Sequence, residues 1–259
     1  MHRSTSLLVS PLPVSLLLVS LMAASILAGA AGCVGAPPPA RPGPAHPSAQ
    51  REPAATNASA LTSTLSPADA TAEVAYYRER SVALAAGAST EIARTDFARL
   101  RRGRLYLTEG LPDREIAALR RRLTAAFGAG NGPAILDLTG QLIERNQADI
   151  RAHMLRAIAL RQGGDESQAR MHHDLAMALL ESILAGGDGQ GVASAWTVFD
   201  VSEEYEVLKM KGCIPGPQAF VSHEHREFDV LQARNASNGG PCDATFDITE
   251  LMAVTARHL

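Results

Sequence analysis

The residues best suited to chemistry lie between Asn146 and Asp188: His153, His172, His173, Asp174 and Asp188 itself. In two antiparallel helices joined near Gly163-Gly164, His153 and His173 fall at positions that pack helix against helix. They are therefore expected to face each other, with Asp188 or Glu203 as the third ligand a metal site would need. Neutral imidazoles are good zinc ligands, and a periplasmic metal-assisted hydrolase is the enzyme such a centre would serve. Zinc sites usually take three protein ligands, however, and no HExxH spacing occurs. The ligand count favours hydrogen-bonded packing histidines, so the expectation is of no metal site.

Other polar clusters yield to the same weighing. His223-Glu224-His225 sits on an expected turn, and two ligands do not close a metal site. Gly186-Gly-Asp-Gly-Gln-Gly191 has the glycines of a phosphate loop. But phosphate loops lead from a strand into a helix N-terminus, whereas this one leaves a helix C-terminus, whose carbonyls repel anions. A glycine C-cap with Asp188 tying the turn is the expectation. Glu203 and Glu204 are adjacent on a helix and point about 100° apart, so they do not flank one bond. No Gly-x-Ser-x-Gly occurs. No catalytic residue and no cofactor is expected.

These residues must be positioned by helices first. Apolar periodicity and caps predict helices over 73–86, 96–107, from Pro112 to Gly128, from Pro133 to Asn146, and from Asp149 through Leu160. Asp165 with Gln168 opens the next like a capping box, running to Gly186. Val74 to Gly130 holds eleven arginines and six acids. Intramolecular pairing and a solvated face take precedence there over an anionic ligand. Ala157, Ala169 and Ala176 are spaced as the small residues of a tetratricopeptide hairpin, a resemblance that covers one hairpin.

After Gly191 the period changes. Residues 195–201, 218–222, 227–233 and 245–249 are expected as strands, with Ser202 capping a short helix that ends at Gly212 and a terminal helix over 250–259. Short links favour antiparallel hairpins. The expected fold is α+β: a helical, tetratricopeptide-like half (73–191) packed on a small C-terminal antiparallel sheet (192–259).

The chain's start speaks to location. His2 and Arg3 precede an uncharged apolar stretch from Ser4 to Gly32, as in a secretory signal. Leu27-Ala-Gly-Ala-Ala-Gly-Cys33 resembles the lipobox of bacterial lipoproteins, although Ala30 stands where Leu is usual. The resemblance implies cleavage before Cys33, its acylation, and a membrane attachment through that lipid. Val34, which is not Asp, places the expectation on the outer membrane, facing the periplasm. Residues 33–72, rich in Pro, Ala, Ser and Thr, are expected as a disordered tether, extended at ~3.1 Å per residue in its Pro-rich half. Loss of residues 1–32 removes Arg3 and no acid, so the mature charge is 23 − 27 = −4. That balance gives no reason to expect nucleic acid. In an oxidising compartment the remaining pair, Cys213 and Cys242, is expected as a disulfide, contributing roughly 3 kcal/mol by loop closure. The favoured function is a non-catalytic binding or scaffold module for a protein or cell-wall partner.

Five ordered motifs carry a family resemblance: Asp149-Ile-Arg-Ala-His-Met154, Ala169-Arg170 with His172, Ser182-Ile-Leu-Ala-Gly-Gly-Asp-Gly189, Glu203-Glu-Tyr-Glu-Val-Leu208 and Phe246-Asp247. Over roughly Asp96 to the end, the chain resembles domain of unknown function 4919, a bacterial family of exported or lipid-anchored proteins. The resemblance implies no activity. Relatives tend to carry Lys-Ser where this chain has Gln190-Gly191, so no cation is implied at that loop.

Overall fold

The computed structural model describes residues 65–87 and 89–258. The expected signal segment, Cys33 and the tether up to residue 64 lie outside the described residues. The helices in chain order are α1 (Pro67–Ala85), α2 (Ser89–Arg94), α3 (Phe97–Thr108), α4 (Arg114–Gly128), α5 (Gly132–Arg145), α6 (Ile150–Gln162), α7 (Glu166–Leu184), α8 (Val201–Met210) and α9 (Thr249–Thr255). Short polar residues open most of them by accepting an otherwise orphaned N–H: Ser66, Asp96, Asp113, Asn131, Asp149, Asp165 and Asp200. The Ser66 cap and Pro67 at N1 start α1 ahead of the expected Glu73, so residues 67–72, expected as part of the tether, are helical. Asp200, not Ser202, caps α8.

α4, α5 and α6 share an apolar core that includes Leu123, Leu142 and Ala152. A larger core joins α1, α3 and α7 to α8 and the sheet, through Leu100, Leu179, Leu208, Leu231 and Phe246. Ala157, Ala169 and Ala176 are all buried, and α6 packs on α7 along its length. The crossing of α3 over α1 involves a residue without a side chain. A Cβ on Gly103 of α3 would collide with the Glu73 carbonyl oxygen and lie 2.8 Å from Tyr77 Cβ on α1.

The sheet comprises β1 (Trp196–Thr197), β2 (Cys213–His223), β3 (Arg226–Asn235) and β4 (Ala244–Asp247), in the order β1-β4-β3-β2. The α+β class stands, but the sheet is mixed, not purely antiparallel. β2–β3 and β3–β4 are antiparallel, and β1 pairs parallel with β4, Trp196 opposite Phe246. The parallel pair follows from the link: β1 is separated from the hairpin by α8, which carries the chain across before it returns. β1 is also shorter than expected, because Asp200 commits the chain to a helix at Val201. β2 is longer, running through Pro215 and Pro217 with a register shift between Pro215 and Gln218. It lies at the edge of the sheet, where a missing N–H and a bulge are tolerated. Cys213, at the start of β2, is disulfide-bonded to Cys242, with Cα atoms 6.1 Å apart.

Candidate functional site

Three helix N-termini, those of α4, α6 and α8, converge on one cleft of about 500 Å³, closed on another side by α3 and the Gly110–Leu111 turn. Each start is fixed locally by its Asp cap, at Asp113, Asp149 and Asp200. The convergence brings Arg101, Arg104, Arg120 and Arg151 to the cleft with Asp113, Asp200, Glu203 and Glu206. Apolar side chains, among them Leu105, Leu111, Ile116, Phe199 and Val201, complete it.

At the cleft's base, Arg101 and Glu203 form a buried ion pair, Nη1 to Oε2 2.7 Å. Arg101 also donates from Nε to Ser182 Oγ at 3.0 Å, and its guanidinium carbon lies 5.1 Å from the Phe199 ring centroid. Glu203 accepts a second bond from the Phe199 N–H at 2.9 Å. Burial pushes the Glu203 carboxyl up, while Arg101 and that N–H pull it back. Arg120 links two of the caps, 2.9 Å from Asp149 Oδ2 and 3.7 Å from Asp200 Oδ2. Burial works against its charge, but the two carboxylates prevail and raise its pKa. Arg104 and Arg151 differ from both. Arg151 donates to the Thr124 hydroxyl at 3.1 Å, and among the described residues neither guanidinium meets a carboxylate.

The histidines behave otherwise than their expected register. His153 meets His172, not His173: the two Nδ1 atoms are 2.9 Å apart, within the α6–α7 interface. His153 Nε2 donates to the Gln147 carbonyl at 3.1 Å, and His172 Nε2 accepts from Arg156 Nε at 3.0 Å. These outer partners determine the tautomers, with His172 Nδ1–H donating to His153 Nδ1. All four ring nitrogens are engaged. Burial pushes His153 down to about 4. Burial, reinforced by His153 and Arg156, pushes His172 down to about 3. His173 is half-exposed beside Asp174, since it lies about 100° around the helix from His172. No group of three or more metal-ligating side chains occurs among the described residues.

Asp188 is exposed and ties the glycine turn, accepting from the Gln190 N–H at 2.9 Å and from the Ser194 hydroxyl. These donors, Ser194 foremost, hold its carboxyl below the ordinary value. The turn itself is built around Trp196, whose Nε1 donates to the Gly187 carbonyl at 3.0 Å. Gly189 has φ +71°, and a Cβ there would run into the indole ring. His223 and Glu224 stand 3.9 Å apart near the β2–β3 turn.

Glu204 is a buried acid whose environment the sequence reading missed. It is fully buried, and neither carboxyl oxygen meets a donor. Burial, then the facing charge of Asp229 on β3, push its pKa up to about 9. A proton on Glu204 gives the two carboxyl groups the hydrogen bond that two anions cannot make. The signal was in the helix period: Glu204 precedes Val207 and Leu208 by three and four positions, on the face that α8 buries.

The family profile described as a domain of unknown function (DUF4919) matches residues 115–255. The chain belongs to that family. The DUF4919 match takes in most of the cleft, the histidine interface and the sheet, and leaves α1 to α3 outside. Comparison with curated proteins and with solved structures returns no match.

Proposed function

We propose that this DUF4919 protein is a non-catalytic binding module of the bacterial envelope, lipid-anchored through Cys33 and facing the periplasm from the outer membrane. Its partner, a protein or a cell-wall component, engages the cleft between α3, α4, α6 and α8. The observation that carries the reading is the composition of that cleft: about 500 Å³, apolar patches beside arginines, and acids already committed to helix caps and ion pairs. Asp113 and Asp200 cap helices, Glu203 holds Arg101, and Glu206 holds Lys209. Among the described lining residues there is no His or Cys to pair as base or nucleophile with Ser202 or Thr108. The lipobox supports the anchor, and the Pro-rich segment after it supports a body held away from the bilayer.

Two measurements test the reading together. Labelled palmitate is expected to enter the wild type and not Cys33→Ser; equal labelling refutes the anchor. Photo-crosslinking groups placed at Leu111 and Val201, both at the cleft and partly exposed, are expected to give discrete products in the native envelope. The same group at Val82, which is 75% exposed and outside the cleft, serves as the control. An identical pattern from all three positions refutes the cleft as the binding surface.

A further inference from the structure

We infer that the cleft takes a small amphipathic carboxylate, its anionic end held by Arg104 and Arg151 and its apolar body against Leu111 and Val201. The inference rests on the cleft being a binding site and names its ligand class. Cations and carboxylates are both numerous here, so the argument turns on which are spoken for. Asp113 accepts from the N–H groups of Glu115 and Ile116. Asp200 accepts from Ser202 N–H and faces Arg120. Glu203 and Glu206 are ion-paired with Arg101 and Lys209. Arg104 has no hydrogen-bond or ion-pair partner for its guanidinium among the described residues, and Arg151 has only the Thr124 hydroxyl. Two guanidiniums are therefore left for an external anion, with planar donor forks that match a carboxylate. The converging helix N-termini add positive potential within their first turns.

Charge alone does not set the type of anion, because doubling the ligand's charge doubles its attraction to the lining arginines and its repulsion by the lining acids alike. The apolar requirement comes from the mouth of the cleft, where Leu111 and Val201 remain 45% and 46% exposed. Covering them removes apolar area from water, worth roughly 25 cal/mol per Å² before the costs of association. The cleft volume falls inside the range of about 300–1,000 Å³ that holds small ligands.

The test is calorimetric titration of the full chain, in neutral detergent, with three probes: N-acetylphenylalanine, its uncharged amide N-acetylphenylalaninamide, and acetate. The acid is expected to bind at least tenfold more tightly than either the amide or acetate. Arg104→Gln and Arg151→Gln are expected to remove the preference for acid over amide. Leu111→Ser, at a partly exposed turn position, is expected to weaken acid and amide alike. Far-ultraviolet circular dichroism establishes that each variant is folded. No binding of the acid to the folded wild type, equal binding of acid and amide, acetate binding as well as the acid, or an acid preference intact in both arginine variants overturns the inference. Position-specific crosslinks that persist when the acid fails to bind leave the binding surface standing and reject the ligand class alone.

Discussion

Arg156, His172, His153 and the Gln147 carbonyl form a hydrogen-bonded row in which every proton has one direction to go. Protonating either ring would replace an accepted bond with a second N–H pointing at a donor, and both rings are buried. Both imidazoles are therefore expected to stay neutral from pH 8 down to about pH 5, in line with values of about 4 and 3. Ring ¹⁵N shifts are the measurement: His153 should carry its proton on Nε2 and His172 on Nδ1, without change across that window. A ring that protonates near pH 6.5 would sink the assignment. The row was half legible in the sequence. The helix period puts His153 on the packing face of α6, but hairpin register points to His173 as its partner where the fold supplies His172. The spacing Ala169, His172, Ala176, Leu179, Ile183 follows the buried stripe of α7, and His173 lies off it.

At the scale of elements, the crossing of α1 over α3 depends on Gly103. A methyl group there meets backbone of α1, which cannot rotate away as a side chain could. Gly103→Ala gains helix propensity of about 1 kcal/mol but forces the helices apart, costing about 1–3 kcal/mol. The expected result is a lower urea midpoint with an unchanged slope; a midpoint equal to or above wild type would show that α1 yields freely. Helix limits from α3 to α7 were legible, because each cap there is a local decision written in a few residues, as at Asp149 and Asp165, whereas the short α2 was not expected. Strand limits were less so. β2 continues through two prolines only because it lies at the edge, and edge position is a property of the assembled sheet. The parallel β1–β4 pair was hidden for the same reason, since partners as far apart in the chain as Trp196 and Phe246 leave no local trace. The cleft was the least legible feature, for it is made by three helix starts that meet only in the folded chain.

For the whole molecule, two buried clusters pull the pH dependence of stability in opposite directions. An unfolded histidine takes its proton near 6.5, whereas His153 and His172 refuse theirs until about 4 and 3. Below pH 6.5 the unfolded chain thus binds more protons, and these groups lower stability as pH falls. Glu204 has the opposite sign. It keeps its proton to about pH 9 in the fold but loses it near 4.5 when unfolded. From 4.5 to 9 the native state binds the extra proton, so stability falls as pH rises, and Glu203, raised by burial, adds to the same trend from its unfolded value upward. Between about 4.5 and 6.5 the histidines and the acids oppose each other. A stability plateau is expected there, with a decline on both sides. Glu204→Gln keeps the shape and the hydrogen bond to Asp229 without a titrating proton. It is expected to match wild type near pH 5 and to exceed it by about 1–3 kcal/mol at pH 8, because the unfolded variant no longer gains from ionising. Urea unfolding at pH 5 and pH 8 measures both. An unchanged alkaline decline in Glu204→Gln would mean that Glu204 ionises freely inside the fold, and α8 would then have to leave its seat against Asp229 to let water in.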